Sequence, residues 1–289
     1  MIRVDNHEGR EVTKKSATFR GKLVVITGGG SGIGRETAIA FAGAGAEVVL
    51  SDVNLVAAKE SAVMIEEAGG TAHAYQLDVA DEAAVHAHAA DIAERHGVPD
   101  VLINNAGIGQ AGPFLSTPSK SFTRVIDINL YGVVNGCRAF GEQMVKRGSG
   151  GHIVNLSSMA AYVPQQSFTA YSTSKAAVFM FSDCLRAELA ESGIGVSTLC
   201  PGVVHTNIIA STQFSGVSTE AETEKQQKFD RLYKKRNYTP DKVADRIVAA
   251  VAKKKSIVPV TPEAHVAYHA RRFVPALGRW LAARKDIFQ

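Results

Sequence analysis

Two kinds of segment alternate along most of the chain. Leu23-Val24-Val25-Ile26 is a continuous apolar run of the kind expected for a strand buried on both faces, and shorter or less regular apolar stretches near 47–51, 71–77, 100–103, 151–157, 194–199 and 257–260 read as further strands. Between them, residues 35–44, 55–68, 81–95, 122–145, 170–191, 241–253 and 262–284 carry apolar side chains at helical spacing. Regular alternation of this kind implies right-handed crossovers between parallel strands. The expected fold class is therefore α/β: a doubly wound, seven-stranded parallel sheet with helices on both faces. No internal repeat or composition break marks a second domain, so residues 20–289 read as one domain. Residues 1–19 lack apolar periodicity and read as an N-terminal extension outside the fold.

The first strand runs into Thr27-Gly28-Gly29-Gly30-Ser31-Gly32-Ile33-Gly34 and then into a helix. Strand, glycine loop and helix form a phosphate-binding arrangement, because glycines admit a ligand close to the backbone and a helix N-terminus offers free N–H groups. The spacing is G-x-x-x-G-x-G. The second strand ends at Asp52, 18 residues beyond Gly34. A carboxylate there accepts hydrogen bonds from ribose hydroxyls and repels a 2′-phosphate, which favours NAD(H) over NADP(H). Arg35 is the counter-argument, as a cation close to the loop.

Further polar residues follow other strands. Asp78 caps a turn or accepts from an adenine amine, and Asn104-Asn105-Ala106-Gly107 follows the fourth strand, where ligands bind in such sheets or where an Asn ties down a turn. Asn129 interrupts an apolar helix and is either a structural, helix-bending residue or one that holds water in an active site. Beyond the sixth strand, Thr206 binds a carboxamide or caps the next segment, and His205 reads as a solvated loop residue.

Tyr171 and Lys175 are four apart, hence on one helical face, where the ammonium favours phenolate and lowers a phenol pKa of ordinarily about 10. The residues before Tyr171, including Met159, Tyr162, Val163 and Phe168, supply a largely apolar wall suited to a lipophilic substrate.

Charge changes the picture only at the C-terminal end. Net charge is +4, yet residues 225–289 hold 16 Lys/Arg against 5 Asp/Glu, leaving the remainder at −7. This basic tail reads as a solvated or subunit-facing surface, with peripheral contact to an anionic membrane as its alternative use; no nucleic-acid motif accompanies it. Residues 207–239, polar and weakly periodic, read as a lid, and 262–284 as a basic amphipathic helix. Cys137, Cys184 and Cys200 are widely spaced, read as buried reduced thiols, and give no metal motif. No signal peptide or run of about 18 apolar residues occurs, so a cytoplasmic location is expected.

Taken together, Thr27-Gly28-x-x-x-Gly32-x-Gly34, Asp52, Asp78, Asn104-Asn105-Ala106-Gly107, Asn129, Ser158, Tyr171-x-x-x-Lys175 and Pro201-Gly202 resemble the short-chain dehydrogenase/reductase family over essentially residues 20–260. The resemblance implies a Rossmann-like fold and a homotetramer or dimer assembled through the long helices at 122–145 and 170–191. It implies a catalytic tetrad of Asn129, Ser158, Tyr171 and Lys175. Ser158, 13 residues before Tyr171, is the family's choice over Ser157, which is expected to point to backbone or cofactor. In that scheme Tyr171 exchanges the alcohol proton, Ser158 steadies the substrate oxygen, Lys175 lowers the Tyr171 pKa and binds the nicotinamide ribose, and Asn129 holds a water. Implied cofactor contacts are Gly28, Ser31, Gly32, Ile33, Gly34, Asp52, Asp78, Val79, Asn105, Gly107, Tyr171, Lys175, Val204 and Thr206. The expected activity is hydride transfer between NAD(H) and a lipophilic secondary alcohol or ketone; the competing expectation is a non-catalytic dinucleotide sensor or scaffold. The segments 135–141, 181–188 and 260–264 also look similar to the reductase half of fusions between an epoxide-hydrolase-like domain and a short-chain dehydrogenase.

Overall fold

A computed structural model describes residues 18–205, 212–215 and 238–284. In chain order the elements are β1 (Leu23–Thr27), α1 (Gly32–Gly43), β2 (Glu47–Asp52), α2 (Leu55–Glu67), β3 (Thr71–Gln76), α3 (Glu82–Arg95), β4 (Val101–Asn104), β5 (Gln110–Ala111), α4 (Ser119–Ile126), α5 (Gly132–Arg147), β6 (Gly151–Leu156), α6 (Thr169–Glu188), β7 (Ile194–Cys200), β8 (Gln213–Phe214), α7 (Pro240–Ala252), β9 (Ile257–Pro259), α8 (Pro262–Phe273) and α9 (Pro275–Arg284). Several helices begin where a short polar side chain accepts from the first turn: Asn54 from the Ala57 N–H, Asp81 from that of Ala84, and Thr261 from that of Ala264.

Seven strands form one sheet in the order β3-β2-β1-β4-β6-β7-β9, and every adjacent pair is parallel. Strand β1 is buried along its whole length, which explains its unbroken apolar sequence. Its alternate residues serve two cores. Val24 and Ile26 join Phe41, Leu50, Ile65 and Ile247 on one face, while Leu23 and Val25 join Ile92, Leu102, Phe140 and Ile153 on the other. The chain builds outward from β1 to β3, then restarts with β4 on the opposite side of β1. That reversal leaves a crevice beyond the carboxyl ends of β1 and β4.

The expected architecture is present, with several local corrections. Phe19 is part of the core, packing edge-on against Phe41 at 4.9 Å and donating its N–H to the Ala44 carbonyl, so the fold begins before residue 20. Helix α1 starts at Gly32, so the last two glycines of the loop motif lie inside its first turn. The helix expected over 122–145 runs from Ser119 to Arg147 and carries a wider π-type turn at Asp127–Tyr131 that contains Asn129. The helix expected over 262–284 is two helices: Pro275 has no N–H to continue α8 and holds Val274 out of helical geometry, at φ −134° and ψ 55°. Cys137 and Cys200 are buried, whereas Cys184 is exposed. Most of the expected lid lies outside the described residues; its residues Gln213 and Phe214 form β8, which pairs with β5.

Candidate active site

The crevice at the reversal point is a cleft of about 500 Å³. One end is built on the turn from β1 into α1. Gly28 has φ +66°, and a Cβ there would come within 2.8 Å of the Ala106 Cα; at Gly34 a Cβ would collide with the Gly28 carbonyl oxygen. Ser31 begins α1 without a side-chain cap, and Ser31, Gly32 and Ile33 line the cleft where the first turn of a helix offers free N–H groups. Asn105 fixes this turn from β4, donating from Nδ2 to the carbonyls of Thr27 (3.0 Å) and Gly28 (3.1 Å). Asp52, at the end of β2, accepts from the Gly30 N–H at 2.9 Å and from the Asn54 N–H at 2.9 Å. Arg35 is turned the other way, its guanidinium bound to the Ser61 hydroxyl, the Gly30 carbonyl and Glu60. A close-approach glycine turn, free helix N–H groups and a nearby carboxylate fit a diphosphate and a ribose.

The other end lies between β6 and α6. Ser158 begins the segment after β6, and its hydroxyl accepts from the Ala160 N–H at 3.1 Å and bonds with the Tyr171 phenol. Burial pushes the Tyr171 phenol above its ordinary pKa, and the Ser158 hydrogen bond opposes that shift. Lys175 is only 4% exposed and donates from Nζ to the Leu156 carbonyl at 2.9 Å. Desolvation brings its ammonium down to about 8, opposed by the Cys200 thiol. Its Nζ lies 5.9 Å from the centre of the Tyr171 ring. The two groups meet on one face of α6 as their spacing requires, but the phenol's pKa is raised, opposite to the expected direction, because both groups are buried and desolvation dominates.

Asn129 is fully buried behind Gly107. Its Oδ1 accepts from the Ile108 N–H at 2.8 Å, and its Nδ2 donates to the Ile108 carbonyl (3.0 Å) and the Ser174 hydroxyl (3.1 Å). The side chain thus clamps the 107–108 loop to α6. Ser157 points its hydroxyl at the Lys175 carbonyl, 2.8 Å away, so it does face the backbone. Asn104 is structural: it donates to Asn155 and Cys137 beneath the sheet edge.

Of the residues singled out from sequence, Gly28, Ser31, Gly32, Ile33, Asp52, Asp78, Val79, Asn105, Gly107, Ser158, Tyr171, Lys175 and Val204 all line the cleft. Gly34 and Asn129 sit immediately behind it, and Thr206 lies outside the described residues. Asp78 does cap a turn, accepting from the Ala80 N–H at 3.0 Å. The apolar wall is only partly as expected. Met159 and Phe168 line the cleft, whereas Tyr162 is buried away from it, ring to ring with Phe179 and Tyr268 and with its hydroxyl donated to the Ala264 carbonyl at 3.0 Å. Val163 is likewise not on the wall. Sequence reasoning missed Arg124, which also lines the cleft; Gln165, Thr212 and Phe214 line it too and fall in the segments read as substrate wall and lid. Arg124 could have been found, being four residues before the cleft residue Ile128 on the same helical stretch.

Comparison with known proteins places this geometry in a family. A profile described as short chain dehydrogenase matches residues 22–214. The chain is 55% identical over 267 residues to the "Probable oxidoreductase EphD" of Mycobacterium tuberculosis, covering 92% of this chain but 45% of that protein. It thus spans about half the length of that relative. It is 34% identical over 252 residues to the "Putative oxidoreductase SadH" of the same species, covering 86% of this chain and 89% of that one. Among solved structures, a short chain dehydrogenase/reductase from Burkholderia phymatum in complex with NAD superposes with a TM-score of 0.83 at 27% identity, covering 94% of this chain and 99% of the other. A 7α-hydroxysteroid dehydrogenase complexed with NADH and 7-oxo glycochenodeoxycholic acid gives a TM-score of 0.72 at 31% identity, covering 85% and 94%.

Proposed function

The chain belongs to the short-chain dehydrogenase family, an oxidoreductase fold that binds a nicotinamide dinucleotide, and from that premise we propose that it transfers hydride between NAD(H) and a lipophilic secondary alcohol or ketone, with Tyr171 exchanging the proton. The observation that carries the reading is the convergence of the Tyr171 phenol, the Ser158 hydroxyl and the Lys175 ammonium in the same cleft as the glycine turn and Asp52. The nicotinamide, when bound, supplies the hydride acceptor or donor. Gly28, Ser31, Ile33 and the α1 N–H groups would hold its diphosphate, Asp52 the adenosine ribose, Asp78 and Val79 the adenine, and Tyr171 and Lys175 the second ribose, with Val204 and Thr206 toward the carboxamide.

In ketone reduction, Ser158 donates a hydrogen bond to the substrate oxygen while Tyr171 gives that oxygen its proton. In alcohol oxidation the phenolate takes the proton back. The raised Tyr171 pKa keeps the phenol protonated at neutral pH, ready to donate. Lys175 sits close enough to stabilise the phenolate left behind, and Asn129 positions both by clamping the loop at Ile108 against α6.

Preference for NAD(H) is supported by the Asp52 carboxylate, pinned by two backbone N–H groups, and by the engagement of Arg35 with Ser61, Gly30 and Glu60. Met159, Phe168 and Phe214 on the cleft wall support a lipophilic substrate. Assembly as a homotetramer or dimer through α5 and α6 is part of the same reading, since that region exposes Tyr131, Val145 and Met180. A spectrophotometric panel of hydrophobic alcohols and ketones with NAD(H) and NADP(H) tests the whole scheme. Tyr171→Phe is expected to lower kcat by at least about 100-fold; undiminished turnover by that variant refutes the assigned role.

A further inference from the structure

Helix α9 carries its large apolar side chains on the outside. Leu277, Trp280, Leu281 and Arg284 fall at i, i+3, i+4 and i+7, a single helical face, and all four are exposed, Leu277 and Trp280 by 51% each. The opposite side carries the half-buried Pro275, Gly278 and Ala282, with the exposed Arg279 beside them. A helix facing only water on its outer side has the reverse arrangement, with Leu and Trp inward. At the break between α8 and α9 the patch continues through Val274 and through Phe273, which is 72% exposed. Five exposed large apolar side chains within residues 273–281 are a concentration of the kind that marks an interaction site.

Charge selects the partner. Residues 262–284 hold four arginines, Arg271, Arg272, Arg279 and Arg284, against the single acid Glu263. Glu263 is directed inward, where it accepts from the Val203 N–H. None of the four arginines makes an ion pair among the described residues; Arg284 instead lies over the Trp280 ring at 4.3 Å. A second copy of this face would set arginines against arginines, a like-charge contact that disfavours association. A nucleic acid would engage the arginines and leave Phe273, Leu277, Trp280 and Leu281 in water. An anionic bilayer accepts both sets at once: apolar side chains enter the headgroup–acyl boundary and arginines stay at headgroup level.

We propose that α9 and the end of α8 form an interfacial anchor that docks this protein on a bilayer containing anionic lipid. No helix among the described residues is long and apolar enough to cross a membrane, so the attachment is peripheral. The anchor lies beside the cleft mouth, because the Gln166 Nε2 donates to the Ala282 carbonyl at 2.8 Å while the neighbouring Gln165 lines the cleft. Direct delivery of a membrane-held lipophilic substrate is a consequence that rests on the function proposed above; the docking itself does not.

Trp280 is the only tryptophan, so intrinsic emission of the full chain reports on this helix alone. With vesicles containing phosphatidylglycerol, the emission is expected to shift to the blue and to be quenched by brominated acyl chains, whereas pure phosphatidylcholine vesicles leave it nearly unchanged. Each arginine near an anionic surface contributes about fivefold to partitioning, so the double variant R279E/R284E is expected to bind anionic vesicles at least about 25-fold more weakly. L277S/L281S is expected to abolish the blue shift. Both variants alter exposed positions and are expected to melt with the parent protein. The proposal is overturned by emission that anionic vesicles leave unmoved at low salt, or by vesicle binding that survives both variants. It is equally overturned by a blue shift that follows protein concentration without lipid and tracks a rise in mass by light scattering, which assigns the face to a second copy, or by oligonucleotide binding with no vesicle binding.

Discussion

Lys175→Met is expected to make the cofactor-free protein more stable at pH 7 while removing its turnover. The ammonium is 4% exposed, and its pKa falls from 10.5 to about 8 chiefly through desolvation. At about 1.4 kcal/mol per pH unit, that fall means holding the charge inside costs about 3 kcal/mol. Methionine has a similar length and no charge to desolvate, but it leaves the Leu156 carbonyl without its 2.9 Å donor, a loss of about 1 kcal/mol. The net expectation is a gain of about 2 kcal/mol at pH 7. The sign of the pH dependence follows from proton counting. Below pH 8 both folded and unfolded chains carry the proton, and the cost is present in full. Between pH 8 and 10.5 the unfolded chain keeps the proton that the folded chain has lost, so wild-type stability rises with pH relative to the variant, and the difference between them closes. Urea unfolding of both proteins at equal concentration across pH 7 to 10 measures that difference. A variant no more stable than wild type at pH 7, with a gap that does not change with pH, would falsify the account of Lys175 as a cation held inside at a cost.

Three further outcomes are expected. Because burial raises the Tyr171 pKa above its ordinary value of about 10, alcohol oxidation, which needs the phenolate, should accelerate as pH rises from 8 to 10, while ketone reduction, which needs the phenol, should hold level over that range; identical profiles in the two directions contradict the assignment. Asp52→Ser removes the carboxylate opposed to a 2′-phosphate and should raise the NADP-to-NAD ratio of kcat/KM by at least about tenfold, near 1.4 kcal/mol; an unchanged ratio in side-by-side kinetics places cofactor choice elsewhere. Tyr162→Phe should cost about 1 kcal/mol of stability through the lost hydrogen bond to Ala264, with kcat/KM altered less than about twofold; a large change in substrate preference would return Tyr162 to the substrate wall.

The sheet was legible because a strand covered on both faces is mostly apolar, and β1, β2, β4, β6 and β7 each carry an apolar stretch, with polar residues such as Asn104, His152, Asn155 and Ser197 buried among them. What was not legible depended on residues distant in sequence. Phe19 sits among charged neighbours and joins the core only because Phe41 is there to receive it. Pro275 carried the signal for the break between α8 and α9, but helical periodicity on either side outweighed it. Tyr162 lies between Ser158 and Tyr171 in sequence, yet its direction is set by Ala264 and Tyr268, about a hundred positions later.

The candidate site divides along the same line. Identity and spacing were readable because the chemistry demands particular residue types at particular intervals: glycines where a Cβ would strike backbone, a carboxylate at the end of β2, and a phenol and an ammonium one turn apart on α6. The electrostatic balance among those residues was not readable. Four-residue spacing correctly puts Lys175 beside Tyr171, and in water such a neighbour lowers a phenol's pKa. Depth reverses the outcome. The Lys175 Nζ is engaged by the Leu156 carbonyl, the cation is itself desolvated, and burial drives phenol and ammonium both toward their neutral forms. Asn129 follows the same logic, since its burial and its hydrogen bonds to Ile108 and Ser174 turn a polar intrusion into a clamp. Local sequence therefore places a phenol beside an ammonium, while the packing around them sets how readily each gives up its proton.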